Sequence, residues 1–124
     1  GLWEAAETTA HDPLARLAVV PMVLEARGLD VSPATVERFE AAGDSRSAAI
    51  LWRIYSDEIR HVGAGTRWFK IACESRGFEP ISQWKWLTKT YFRGVLKPPF
   101  NDSARGQAGL SRDFYIGLAE ARDV

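Results

Sequence analysis

Residues 44–77 read DSRSAAILWRIYSDEIRHVGAGTRWFKIACESRG, and this stretch decides the fold. Asp44 caps the start of a helix, and Gly77 supplies the residue type at which helices commonly stop. The spacing predicts one helix over roughly Ser45 to Arg76. At about 1.5 Å per residue it would be nearly 50 Å long, which is the length of a bundle helix and not of a connector.

With Glu58 at zero on a helical wheel of about 100° per residue, the apolar stripe falls around it: Leu51, Ile54, Val62, Gly65 and Phe69 lie within about 40°. His61 falls about 60° away, inside the same stripe. A carboxylate and an imidazole are thus expected on the buried face. An unpaired buried carboxylate costs several kcal/mol, so a compensating partner is required there. Glu58-Ile59-Arg60-His61 has the Glu-x-x-His spacing that aims both side chains at one point off the helix, the ligand pair of a bundle-core metal site.

The region before this helix carries a second such acid. Asp12-Pro13 reads as an N-cap and a first-turn proline, opening a helix expected to end near Arg27-Gly28. On that helix Leu14, Ala18 and Pro21 lie within about 40° of Glu25, so Glu25 interrupts an apolar stripe. A salt bridge to Arg16 or Arg27 is the plainer reading of Glu25 alone, and a satisfied core histidine the plainer reading of His61 alone. Two buried acids and a histidine at ligand spacing together favour a metal.

The remaining signals are also helical. Residues 2–10 form a short amphipathic lead-in, and Ser32-Pro33 reads as the start of a further short helix stopping at Gly43. Another helix follows Pro80, with Trp84, Trp86, Leu87, Tyr91 and Phe92. Lys97 to Asp102 is irregular, and a last amphipathic helix covers about Arg112 to Ala121. Strand signals, internal repeats and Gly/Ser-rich linkers are lacking, so residues 1–124 read as a single all-α domain.

Composition sets the outer bounds. The chain has 124 residues, 46% of them hydrophobic and 26% charged, which argues for a packed core and against disorder. Its 16 basic and 16 acidic residues cancel, giving no net pull toward nucleic acid or an anionic membrane. Arg53, Arg60, Arg67, Lys70 and Arg76 recur along one stretch and read as a solvated helix face. No apolar run approaches the ~20 residues of a membrane span. The single cysteine, Cys73, beside Ile71 and Ala72, reads as a buried inert thiol in a reducing cytoplasm. His11 precedes the helix cap and reads as a solvated loop residue.

Asp57-Glu58-Ile59-Arg60-His61 resembles the Asp-Glu-x-Arg-His motif of ferritin-like dinuclear iron carboxylate proteins. Asp12 to Ala18, Pro21 to Asp30, His61 to Phe69, Pro98 to Asn101 and Ala104-Arg105 are similar to a bacterial ferritin-like family known only as a domain of unknown function. The resemblance implies a four-helix bundle of ferritin-like type, to which this chain contributes two long helices plus shorter ones. It implies Glu25 as a bridging carboxylate, Glu58 and His61 as the Glu-x-x-His ligands, and Asp57 as the hydrogen-bond partner of a ligand histidine from the other half. A complete site needs a further Glu and a further Glu-x-x-His, which the chain lacks, so it looks like the family's C-terminal half.

The expected cofactor is a pair of iron ions, or manganese, since carboxylate-rich sets favour these over structural zinc. The expected function is a di-iron oxidase or hydroxylase, with metal storage or an inert helical interaction module as alternatives. Trp52, Tyr55, Trp68 and Tyr91 are candidate redox neighbours, although aromatics at helical spacing are more often core. The missing ligands come from a second copy in a homodimer or from a separate N-terminal half.

Overall fold

A computed structural model of the chain describes residues 2–120, and every regular element among them is helical. The order is α1 (Leu2–Thr8), α2 (Pro13–Val19), a π-helical segment (Val20–Glu25), α3 (Ala26–Ala41), α4 (Ser45–Arg76), α5 (Pro80–Tyr91), α6 (Asp102–Gln107) and α7 (Arg112–Glu120). The all-α expectation holds for these residues. α4 has the predicted bounds. The Asp44 side chain accepts the Ser47 N–H at 3.0 Å, and Gly77 closes the helix at a φ of 75°, a left-handed conformation that glycine adopts without a steric penalty. The predicted last residue of the final helix, Ala121, lies outside the described residues.

The region before α4 departs from expectation. In place of one helix ending near Gly28 and another starting at Ser32-Pro33, helical structure runs without a break from Pro13 to Ala41. Gly28 stays in the helix, and Pro33 is an interior residue of α3. A proline there withholds the N–H that would go to the carbonyl four residues back, that of Leu29. The Asn101 side-chain amide takes its place, donating to the Leu29 carbonyl at 3.1 Å. A long-range contact thus repairs a break that the local sequence signals.

Proline also marks the π-helical segment. Pro21 lies in its first turn, and the ladder runs there at wider spacing, with the Ala26 N–H donating to the Pro21 carbonyl. The carbonyl of Ala18, one turn earlier, accepts the buried indole N–H of Trp84 at 3.0 Å.

The continuous 13–41 helix and α4 are joined through Gly43, at a φ of 81°, and form a long hairpin. α5 to α7 cover one side of it: Trp84 and Leu87 of α5 and Phe114 and Tyr115 of α7 share a core with Leu14, Met22, Val62 and Phe69. Trp84 and Phe114 meet edge-on, their ring centroids 5.8 Å apart. The irregular 97–101 segment ends in the unforeseen short helix α6. On its other side α4 exposes Ile50, Ile54, Trp68 and Ile71. The hairpin supplies the two long helices that the sequence predicts. None of the other helices exceeds the 12 residues of α5, so a bundle of four long helices is not completed among the described residues.

Candidate functional site

Glu25 is the last residue of the π-helical segment, and Glu58 and His61 lie near the middle of α4. The hairpin sets Glu25 against Glu58, and His61 stands beside Glu58 on α4. One close packing sets the approach. Gly65, two turns after Glu58, lies against the ring of Pro21, one turn before Glu25: a Cβ on Gly65 would sit 2.5 Å from both Cβ and Cγ of Pro21. The π segment falls at this contact, in keeping with the frequent occurrence of such segments at functional sites.

The carboxyl of Glu25 is held above its ordinary value. Burial is the largest cause, followed by the charge of Glu58 and side-chain hydrogen bonding to it, while the charge of His61 opposes. His61 Nδ1 stands 3.5 Å from Glu58 Oε2. The other Glu58 oxygen, Oε1, is buried and meets no donor among the described residues. With both carboxyls ionised, Glu25 has nothing to offer it. A proton on Glu25 would supply the donor, and a cation between the two would satisfy the oxygen by coordination instead.

The salt-bridge reading of Glu25 has little support here. Arg16 donates to the carbonyl of Ala6 at 2.6 Å, and Arg27 to Asp30 and to the carbonyl of Lys97. Neither guanidinium is turned to Glu25.

The expected burial is realised only in part. The Glu58 side chain is 25% exposed, but that of His61 is 66% exposed, at the rim and not within the core. Ile54, on the same stripe, is also at the surface. The wheel gave the direction of this stripe correctly, but no element among the described residues covers its outer half. Asp57 pairs with Arg60 on its own helix. His11 is in an exposed loop as expected, and there its ring meets the Tyr91 hydroxyl at 3.2 Å. Trp52 and Trp68 are exposed, so the core reading fails for both. Tyr55 is half-buried and accepts a hydrogen bond from Asn101 at 2.8 Å.

Among the described residues no three or more His, Cys, Asp and Glu side chains are grouped closely enough to hold a metal ion. Carboxylate and imidazole are donor types that iron and manganese take. A cavity of about 430 Å³ lies beside the next residues along, lined by Val23, Leu24, Arg27, Phe92 and Phe100, and Glu25 does not open onto it.

A second polar cluster was missed from the sequence. Arg105 makes a bidentate ion pair with Asp30, Nε to Oδ1 at 2.8 Å and Nη2 to Oδ2 at 2.6 Å. The two side chains are only 4% and 1% exposed. The guanidinium lies over the rings of Phe100 and Tyr115, 4.9 and 4.4 Å from their centroids. Asn101 ties this cluster to α3: its backbone N–H donates to Asp30 Oδ1, and its side chain bridges Leu29, Tyr55 and the start of α6.

The family profile described as "Protein of unknown function (DUF455)" matches residues 1–116, nearly the whole chain. The chain belongs to the DUF455 family. An uncharacterized protein of Haemophilus influenzae is 40% identical to this DUF455 chain over 112 residues, 90% of the chain. The chain spans 39% of the length of that relative. No solved structure matches. The matched residues include Asp30, Asn101 and Arg105, and the family description assigns no chemistry to them. No helix among the described residues is long and apolar enough to cross a membrane.

Proposed function

We propose that the chain supplies one half of a carboxylate/histidine centre for iron or manganese, with Glu25, Glu58 and His61 as ligands, and that the completed centre serves an oxidoreductase of the non-haem di-iron type in a ferritin-like bundle. The observation that supports this is Glu58 Oε1, a buried oxygen with no donor beside a second carboxyl of raised proton affinity. Two acids so placed are unfavourable without compensation. A shared proton relieves them in part, and a bridging divalent cation relieves both.

Carboxylate oxygens with a single imidazole suit iron or manganese, whereas structural zinc takes closed sets rich in thiolate and imidazole. Such a metal pair supplies redox chemistry with dioxygen. The chain's own part is positional: Glu25 and Glu58 present oxygens from two helices, and His61 presents a nitrogen from the rim. Asp57 stands one residue before Glu58 and would accept a hydrogen bond from an imidazole brought by the other half. Three donors are too few, so the complement comes from a second copy or from a separate segment with its own Glu and Glu-x-x-His. Two copies together would hold four carboxylates and two imidazoles.

Elemental analysis of the protein purified without added metal, with its mass in solution, tests the proposal. Bound iron or manganese is expected, lost in Glu58→Ala with helix content unchanged. Unchanged metal content in Glu58→Ala refutes the ligand assignment. Metal held in a large cage without substrate turnover would favour storage. The exposed Trp52, Trp68 and Trp86 favour an inert interaction module if the wild type carries no metal at all.

A further inference from the structure

α4 carries two rows at heptad spacing on a face that no element among the described residues fully covers. Ile50, Ile54, Asp57, His61, Ala64, Trp68 and Ile71 follow one another at alternating steps of four and three, the spacing of a coiled-coil seam. Ile50, Ile54, Trp68 and Ile71 are 46–57% exposed, so the seam faces solvent over about 30 Å. Beside it, at steps of seven, stand Arg46, Arg53, Arg60 and Arg67, all exposed. Arg60 pairs with Asp57, and the other three have no ion-pair partner among the described residues. Such a column drifts only about 20° per heptad, so the arginines form one edge of the seam along its length. The other edge turns into the hairpin, where Gly65 meets Pro21. Trp68 and Ile71 also line a groove of about 570 Å³ whose second wall is Ala10, Pro13 and Leu17. A helix laid on the seam would have α2 as its other support.

We infer that the seam of α4 docks a partner helix that carries apolar residues at heptad spacing and a flanking column of acidic residues. Charge decides the occupant. A second copy laid antiparallel would bring arginine column against arginine column, with Arg53 facing the region of the second Arg67. A second copy laid parallel would set the column opposite Leu51, Glu58, Gly65 and Ala72, only one acid among four. Flanking charges govern partner choice and orientation in such seams, and like charges there oppose pairing. An acidic-flanked helix answers all four arginines at once. The seam contains Asp57 and His61, so of the two complements named for the proposed half-site a separate segment is favoured over a second copy. The peptide test reads the seam and its arginine column without metal.

The test uses the 124-residue protein and two synthetic amphipathic peptides about four heptads long. Both carry the same Leu/Ile core; one has Glu at every flanking position and the other Lys. Fluorescence anisotropy of each labelled peptide reports binding. At about 0.1 M salt the Glu peptide should bind about tenfold or more tighter than the Lys peptide, and the gap should shrink at about 1 M salt. The triple variant Arg53→Glu, Arg60→Glu, Arg67→Glu should reverse the order. Ile54→Asp, a surface change, should weaken both peptides alike. Equal binding of the two peptides, or binding indifferent to Ile54→Asp, overturns the inference. So does a protein that sediments as a dimer and becomes monomeric on Ile54→Asp, because the occupant is then a second copy. A single-stranded oligonucleotide whose binding is lost in the arginine triple variant but kept in Ile54→Asp overturns it too, in favour of a polyanion surface.

Discussion

Gly65 and Pro21 touch where the two long helices cross nearest the acids, and the contact leaves no room for a methyl group. A Cβ on Gly65 would lie 2.5 Å from two carbons of the proline ring, and neither the ring nor the backbone under it can swing aside. Gly63 lies two residues earlier on a different face, and a Cβ there would meet its nearest neighbour, Ala108, at an ordinary 3.6 Å. Gly65→Ala should therefore destabilise the protein by about 1–3 kcal/mol through overpacking. Gly63→Ala should be neutral, or stabilising by up to about 1 kcal/mol through helix propensity. Urea unfolding of both variants measures the difference, and equal midpoints would show that the crossing is looser than described.

Asp30 and Arg105 are each other's charge compensation in a nearly dry setting. Asp30→Ala strands the guanidinium and should cost about 3–5 kcal/mol. Replacing both partners with apolar residues of similar volume should cost far less than either single change. The pair is measured by a double-mutant cycle in denaturant. Single changes within about 0.5 kcal/mol of wild type would remove the pair from the list of stabilising contacts.

Glu25 gives the metal-free protein a pH dependence of known sign. Its ordinary value is 4.5, and folding raises it, chiefly through burial and then through the Glu58 charge. The folded state thus holds the proton more tightly than the unfolded state. That contribution to stability is fully present below about 4.5 and is lost as pH rises through the raised value. In chelator, Glu25→Gln should melt at a higher temperature than wild type at pH 7, with the advantage shrinking toward pH 4. An advantage that grows on acidification would mean the carboxyl is stabilised in its charged form.

Cys73 is pushed up to about 11, first by burial and then by Glu79, with Arg76 opposing. At pH 8 about one thiol in a thousand is then ionised, and thiolate is the reactive form. A disulfide reagent should label the native protein slowly and label the guanidinium-unfolded chain at once, with one thiol per chain. Fast labelling of native protein would place Cys73 nearer the surface than its packing allows.

The sequence signals that held were those whose causes lie within a few residues. Asp44 and Gly77 bound α4 because capping and a left-handed stop are local events. Glu25 and Glu58 meet because both lie on the faces that the hairpin packs together. The misread residues, Gly28 and Pro33, are also strong local signals, overruled by Asn101 from 72 residues away. His61 lies at the rim because a wheel gives a side chain's direction but not what covers it. The Asp30–Arg105 pair escaped notice because charge spacing along a chain does not say which acid and base will be buried together. Its two halves were present in the quoted family segments without any local reason to join them.

The repair of the Pro33 gap also fixes an order in time. On the ribosome the Leu29 carbonyl and the Asp30 carboxylate emerge 72 and 75 residues before the groups that engage them, Asn101 and Arg105. At about 5–20 residues per second that is a wait of roughly 4–15 s. Until then the segment has only its local signals, which mark a stop near Gly28 and a start at Ser32-Pro33. The groups that complete the helix across Pro33 and neutralise Asp30 are therefore synthesised well after the helix they serve.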